Sequence, residues 1–311
     1  MKLKNSPTQS QNLQPVSKWK KHFSKYYMVY AVLIPMIAYF LVFNLFPVFL
    51  SLFLSFTDYK LTRATWDFVG FQNWAKIFAD ERIWKGLWVT VKYTVMTVIG
   101  SVILGLFLAY LVNKERKGIR FFRVVYFLPS LTSTVVMAAI WKFLFGNDEN
   151  GIVNWCLGLF GVDPIKFFTN TKIVLGTLAL LAIFITGTGL MVYFIGGLKG
   201  IPASVYESAS IDGASEWKIF TRITLPLLKP TLLYTTVVCT IGSFQMFDIA
   251  HVLTLGGPNY ATTTIMYSVY QYGFREYRIG YACAVAVFIA LIIGALSFIQ
   301  FKWLGGDVSY E

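Results

Sequence analysis

Apolar residues in this chain come in long runs rather than in alternation. An α-helix needs about 20 mainly apolar residues to cross a hydrocarbon core ~30 Å thick, because it rises ~1.5 Å per residue. Six stretches meet that length, over residues 26–56, 88–112, 124–145, 173–198, 231–255 and 279–301. The pattern predicts an all-α membrane protein with six transmembrane helices. Pro35 and Pro47 fall inside the first run and predict a kink or a short interfacial helix at its outer end. That run is too long for the apolar region of a cleaved signal, so it is read as a span. The loop after it, Phe56 to Gly86, is aromatic and charged. Phe71, Trp74, Ile77 and Phe78 recur there at helical spacing, which predicts a short amphipathic helix.

Composition turns these runs from core helices into spans. Of 311 residues 56% are hydrophobic and 14% charged, against about 25% charged in an average soluble domain. So little charge cannot cover a soluble surface of this size. A net charge of +12 would point to nucleic acid in a soluble chain. In a membrane protein it reports basic loops on one face, and no nucleic-acid partner is expected. With the N-terminus inside, the inner segments 1–25, 113–123, 199–230 and 302–311 hold 16 basic residues in 78 positions. The outer segments 57–87, 146–172 and 256–278 hold 9 in 81. Basic residues favour the cytoplasmic side, so both termini are expected to be cytoplasmic. The loop NKERKGIRFFR (113–123) contributes most to that excess. The expected organisation is a basic cytoplasmic tail over 1–25, its first fifteen residues disordered, a transmembrane domain over 26–305 and a cytoplasmic tail over 306–311.

Catalytic chemistry is hard to find. The sequence has no GxxxxGK[ST] phosphate loop, no HExxH and no GxSxG. Its two histidines, His22 and His251, are too few for a His-rich metal site. Cys156, Cys239 and Cys283 lack CxxC spacing and are read as packing residues. No metal or cofactor bound by this chain, and no catalytic residue, is expected. Asp248 is the single carboxylate well inside an apolar run, within CTIGSFQMFDIAHVLTLGGP (239–258). Placing a charged side chain at the bilayer centre costs roughly 2.5–3.5 kcal/mol on insertion scales. Asp248 is therefore expected to face a water-filled cavity or a partner, and Ser243 and Gln245 are its polar neighbours.

One charged stretch interrupts the pattern between the fourth and fifth runs. VYESASIDGASEWKIFTRITLPLLKP (205–230) carries Glu207, Asp212, Glu216, Lys218, Arg222 and Lys229. Pro202 suits a helix start. Asp212-Gly213 suits a helix end, because glycine takes positive φ freely. SEWKIFTRI restarts a helix, and Pro226 and Pro230 precede the fifth span. The expected result is a helical elbow, the coupling loop 199–230, too polar to enter the lipid.

This stretch resembles the EAA signature of bacterial ABC-importer permeases, E-A-A-x-x-D-G-A followed by I-x-L-P-x-x-x-P. Glu207, Ala209, Asp212, Gly213, Ala214, Phe220, Ile223, Leu225, Pro226 and Pro230 match; Ser208 stands where alanine is usual. Stretches 68–78, 123–145, 247–265 and 280–289 are similar to the carbohydrate-uptake subfamily, which includes maltose-type and glycerol-3-phosphate-type permeases. The resemblance covers roughly residues 25 to 305. It implies a type I importer permease fold in the bacterial cytoplasmic membrane. It also implies ATPase coupling through Glu207, Ser208, Ala209, Asp212, Gly213 and Ala214, with Glu207 pairing with a basic residue of the ATPase. The partners implied are a second, different permease, two cytoplasmic ATPase subunits that hold ATP and Mg, and an extracellular or periplasmic solute-binding protein delivering sugar. In maltose-type relatives substrate contacts lie on the spans flanking the coupling loop. The resemblance therefore points to Thr186, Gly189, Cys239, Ser243 and Met246, to which Gln245 and Asp248 are added from the residues themselves. The rival readings are a glycerol-3-phosphate-type permease and a secondary transporter. The latter predicts internal repeats and several mid-membrane ionisable groups.

Overall fold

The structure, a computed structural model, describes residues 18–63, 65–113 and 117–304, with the backbone course alone for 18–25. The tail calls at 1–17 and 306–311 lie outside the described residues. The chain divides into two units, residues 1–50 and 51–311.

In the first unit α1 (Lys18–Phe40) carries Pro35 without interruption and departs from helical geometry at Tyr26, with φ −117° and ψ 17°. A π-helical turn, Leu41–Leu45, leads into α2 (Phe46–Leu54). Pro47 has no N–H to offer the Phe43 carbonyl, and the ladder widens by one residue just ahead of it. A widened turn in one continuous run thus stands where a kink or interfacial helix is predicted.

The second unit is helical among its described residues apart from an isolated antiparallel bridge between Thr57 and Phe68. It contains α3 (Gln72–Ala79), α4 (Glu81–Asn113), α5 (Ile119–Leu131), α6 (Thr134–Leu144), α7 (Ile152–Gly158) and α8 (Val174–Gly200). The elbow follows as α9 (Ala203–Ile211), α10 (Glu216–Ile219), a π turn (Phe220–Thr224) and α11 (Leu225–Leu227). The chain ends in α12 (Lys229–Phe244), α13 (Asp248–Thr254), α14 (Ile265–Tyr270) with a π turn over Gln271–Arg275, and α15 (Ile279–Leu304). Among the described residues four helical runs are long and apolar enough to cross a membrane, and two bent pairs bring the number to six.

The bends are where structure and sequence pattern part. The third predicted span, 124–145, is α5 and α6 meeting at 100°. Pro129 cannot donate within the last turn of α5, and the Ser130 and Thr132 hydroxyls bond back to the Phe127 and Leu128 carbonyls. Thr132 is then extended, at φ −84° and ψ 142°. The fifth predicted span, 231–255, stops at Phe244. A break at Gln245–Phe247 follows, where the Thr264 hydroxyl takes the Met246 carbonyl at 2.7 Å.

α4 and α8 form the main helix pair, and small residues bring them close. A Cβ at Gly105 would lie 2.9 Å from the Leu190 Cβ and 3.0 Å from the Gly187 carbonyl oxygen, so the contact excludes a larger residue. Leu108, Val112, Met191 and Phe194 form the core at the elbow end of this pair. Tyr93, Trp141, Leu178 and Leu181 form another further along α8. Ile77, Phe244, Ile265, Tyr272 and Val285 fasten α3, α12, α14 and α15 together. The three cysteines are free, Cys156 exposed and Cys239 buried.

Candidate functional site: an elbow and a cavity at the two ends of α8 and α12

The elbow is built by its own backbone. Gly213 sits at φ +72° just past the end of α9. The Gly213 N–H donates to the Ser210 carbonyl at 3.1 Å and the Ala214 N–H to the Ala209 carbonyl at 3.0 Å. That crossed pair closes the helix end as a Schellman motif. Ser215 then caps α10 by accepting the Lys218 N–H at 3.4 Å. Ala209 is buried, while Glu207, Ser208 and Asp212 are exposed. Ser208 departs from the signature's alanine on the open side of the helix, where a hydroxyl meets no core. Inward, the Tyr206 hydroxyl lies 3.3 Å from that of Thr224, and Phe220 meets Tyr110 edge-on at 5.5 Å. Outward, Ile211 and Trp217 are 86% and 73% exposed. The fixed helix end thus leaves a carboxylate and two apolar side chains bare on one surface.

The cavity lies midway along α8 and toward the far end of α12. Its volume is about 330 Å³, and its walls come from α4, α6, α8, α12 and the start of α13. It brings together Thr186, Cys239, Ser243, Gln245, Met246 and Asp248. Gly189 stands apart, one turn on from Thr186, where a Cβ would lie 3.3 Å from the Ser130 Cβ of α5.

Several of these side chains are committed to one another. The Ser243 and Thr97 hydroxyls are hydrogen-bonded at 2.8 Å, and the buried Cys239 thiol points to the Thr97 carbonyl at 3.9 Å. Gln245 and Asp248 are exposed, and Thr186 is half-buried, so these three offer the open polar groups. Asp248 does not lie within a helical span as predicted. It is the first residue of α13 after the break, and it is exposed at the cavity. Tyr93, Thr97, Thr134 and Phe247 also line the cavity and were not singled out from the sequence. The recurrence of Thr90, Thr94 and Thr97 along the second span was the available signal. Phe247 opens an aromatic group, its ring stacked on His251 at 5.1 Å and tilted against Tyr270 at 4.8 Å. Among the described residues the cavity lining contains one carboxylate, Asp248, and no cationic side chain.

Apolar spans, an exposed helical elbow and a polar cavity between the helices it joins define a multi-pass membrane transport subunit. The chain belongs to the family described as binding-protein-dependent transport system inner membrane component, whose model matches residues 101–310. It is similar to the probable ABC transporter permease protein YesP of Bacillus subtilis, at 37% identity over 91% of this chain and 92% of that protein. It is also similar to the trehalose/maltose transport system permease protein MalF of Thermococcus litoralis, at 31% identity over 85% of this chain and 89% of the relative. Its fold matches a chain in the crystal structure of a bacterial ABC transporter involved in import of the acidic polysaccharide alginate. The TM-score is 0.81 at 22% identity, over 94% of this chain and 100% of that one. The protein is accordingly a permease of the cytoplasmic membrane.

Proposed function

We infer that this permease, paired with a second and different permease, forms the path for a sugar or oligosaccharide delivered by an extracellular or periplasmic solute-binding protein. The observation that carries the reading is the cavity, where Thr186, Gln245 and Asp248 present open hydrogen-bonding groups beside the aromatic Phe247. Hydroxyl-rich ligands use both kinds of contact, and the Thermococcus relative is named for trehalose and maltose. A phosphorylated substrate would meet the Asp248 carboxylate and no cation in this lining, which favours the sugar over glycerol-3-phosphate. The second permease is the partner that the resemblance to carbohydrate-uptake permeases implies.

The elbow docks one of the two cytoplasmic ATPase subunits, which hold ATP and Mg; this chain supplies no catalytic group. Glu207 pairs with a basic residue of the ATPase, Ser208, Ala209, Ala214 and Asp212 shape the docking helix, and Gly213 sets its turn. The excess of Lys and Arg on one set of loops supports a cytoplasmic side for both termini and the elbow. Glu207→Lys tests the coupling. Uptake of labelled oligosaccharide should fall to background and ATPase co-purification should drop about tenfold or more, as expected for a broken charge pair at an interface. Membrane insertion should be unchanged. Wild-type uptake in that variant would sink the assignment.

A further inference from the structure

α2 ends at Leu54 and α15 begins at Ile279, and the chain segments beside these two helix ends are tied together. The Gly280 N–H donates to the Tyr59 carbonyl at 2.9 Å, and the Leu61 N–H to the Tyr277 carbonyl at 3.1 Å. Gly280 has no room for a side chain, because a Cβ there would collide with the Thr57 carbonyl. At this junction a pocket of about 230 Å³ opens, with Lys60, Lys76 and Arg278 in its lining. These three cations outnumber the one carboxylate in the lining, Asp58, one oxygen of which accepts the Asp67 N–H at 2.6 Å, and Asn73 spends its amide on the Ser55 and Thr57 carbonyls at 3.0 and 2.7 Å. Arg278 lies 3.5 Å from Glu276, a carboxylate it shares with Arg82, and stacks over the Tyr281 ring at 4.7 Å. Lys60 and Lys76 have no carboxylate partner among the described residues.

Beside the pocket stands an aromatic face. Phe56 meets Phe71 edge-on at 5.3 Å and Phe68 at 6.4 Å, and Phe68 and Phe71 are 68% and 74% exposed. Aromatic side chains at the end of a span mark the level of lipid headgroups. A cationic pocket at that level, next to bare aromatic rings, has the chemistry of an anionic-lipid site. We propose that this pocket binds the phosphate of an anionic phospholipid, with the acyl chains lying over Phe68 and Phe71. Lys60, Lys76 and Arg278 meet the headgroup, and Gln72 at the rim donates to its oxygens. The proposal is independent of what the permease carries.

The test is native mass spectrometry of the full chain, stripped of lipid in detergent and titrated with phosphatidylglycerol or phosphatidylcholine. Phosphatidylglycerol should bind about thirtyfold tighter than phosphatidylcholine, taking roughly fivefold for each of two unpaired lysines near the membrane surface. Lys60→Gln with Lys76→Gln should remove that preference. Lys76→Gln alone, at an exposed position that cannot unfold the chain, should lower it about fivefold. Lys85→Gln, whose partner is Glu81 at 2.8 Å, should leave it intact. Equal binding of the two lipids, or an unchanged preference in the double variant, would overturn the proposal. So would displacement of the lipid by excess inorganic phosphate, which would make this a site for a free anion. Loss of binding-protein capture in the double variant with phosphatidylglycerol retention unchanged would overturn it too, in favour of an acidic protein surface.

Discussion

Gly213 decides the shape of the elbow through its backbone alone. At φ +72° a side chain is strained by roughly 1–2 kcal/mol, yet a Cβ there would touch nothing within 4 Å. Substitutions should therefore separate by conformational preference and not by size of the pocket. Gly213→Asn, which tolerates the left-handed region, should keep most ATPase co-purification and uptake. Gly213→Ala should lose about fivefold to thirtyfold, the equivalent of that strain, and the β-branched Gly213→Val more. Uptake of the Val variant equal to wild type would show that the turn is not needed. Other residues at this scale were opaque in the sequence. Arg123 counts there as one more cytoplasmic charge, but its guanidinium donates twice to the Val112 carbonyl, at 3.0 and 2.7 Å. It covers an orphan carbonyl near the C-terminus of α4. Asn154 reads as an ordinary loop residue, yet its amide bonds the Gly146, Asp148 and Ile165 carbonyls and fixes the segment around α7. Charge counts and hydropathy cannot see which carbonyl a side chain will find.

At the scale of elements, hydropathy located the apolar runs, and punctuation located the elbow, because proline and glycine act locally on the backbone. The breaks inside the third and fifth runs were hidden. The residues around Thr132 and Gln245 remain apolar on average, and the hydrogen bond that holds the second break open comes from Thr264, far along the chain. A similar long-range tie fixes the segment between α14 and α15. Asp80, just ahead of α4, accepts the Tyr272 hydroxyl at 2.5 Å and the Tyr281 hydroxyl at 3.0 Å. Burial acts to raise the Asp80 pKa. The Tyr272 hydroxyl, the Arg82 N–H, the Tyr281 hydroxyl and the Arg82 charge outweigh it, and hold the carboxyl below its usual value. Burial and the same carboxylate push the Tyr272 phenol up. A depressed folded-state carboxyl stabilises the fold above its unfolded pKa, about 4, and that stability is lost as pH falls through the lower folded value. A raised phenol contributes fully below about 10 and loses its contribution as pH rises through the folded value. The tie should thus be intact across pH 5–9. Asp80→Asn should lower stability by about 1.5–3 kcal/mol, the range for hydrogen bonds to a charged group, and flatten the acid limb below about pH 4. Thermal unfolding of the purified protein between pH 3 and 8 reads both effects. An acid limb as steep as wild type would remove Asp80 as its source.

The whole molecule connects the elbow to the cavity by two rigid arms. α8 runs from the cavity wall at Thr186 to its end at Gly200, a distance of about 21 Å at the α-helical rise. α12 runs from Lys229 beside the elbow to Cys239 and Ser243 in the opposite wall, about 15–21 Å. The close α4–α8 contact at Gly105 and Gly187 keeps the first arm from bending under load. A shift of the elbow driven by nucleotide binding in an ATPase would move both walls together, because interiors packed this closely transmit displacement rather than absorb it. Linkage then runs in both directions: a ligand that favours one cavity shape must favour one elbow position by the same free energy. Asp248 is the residue on which to test this, since it is exposed and is the one carboxylate among the described residues of the cavity lining. Asp248→Asn preserves the size of the side chain and removes its charge. Substrate-stimulated ATPase activity of the reconstituted importer should then need about tenfold more substrate to reach half-stimulation, the loss expected for a hydrogen bond to a charged group. Glu207→Lys, at the other end of the arms, should abolish stimulation at every substrate concentration. Wild-type stimulation in the Asn variant would place Asp248 outside the path and leave Thr186, Gln245 and Phe247 as the groups that meet the substrate.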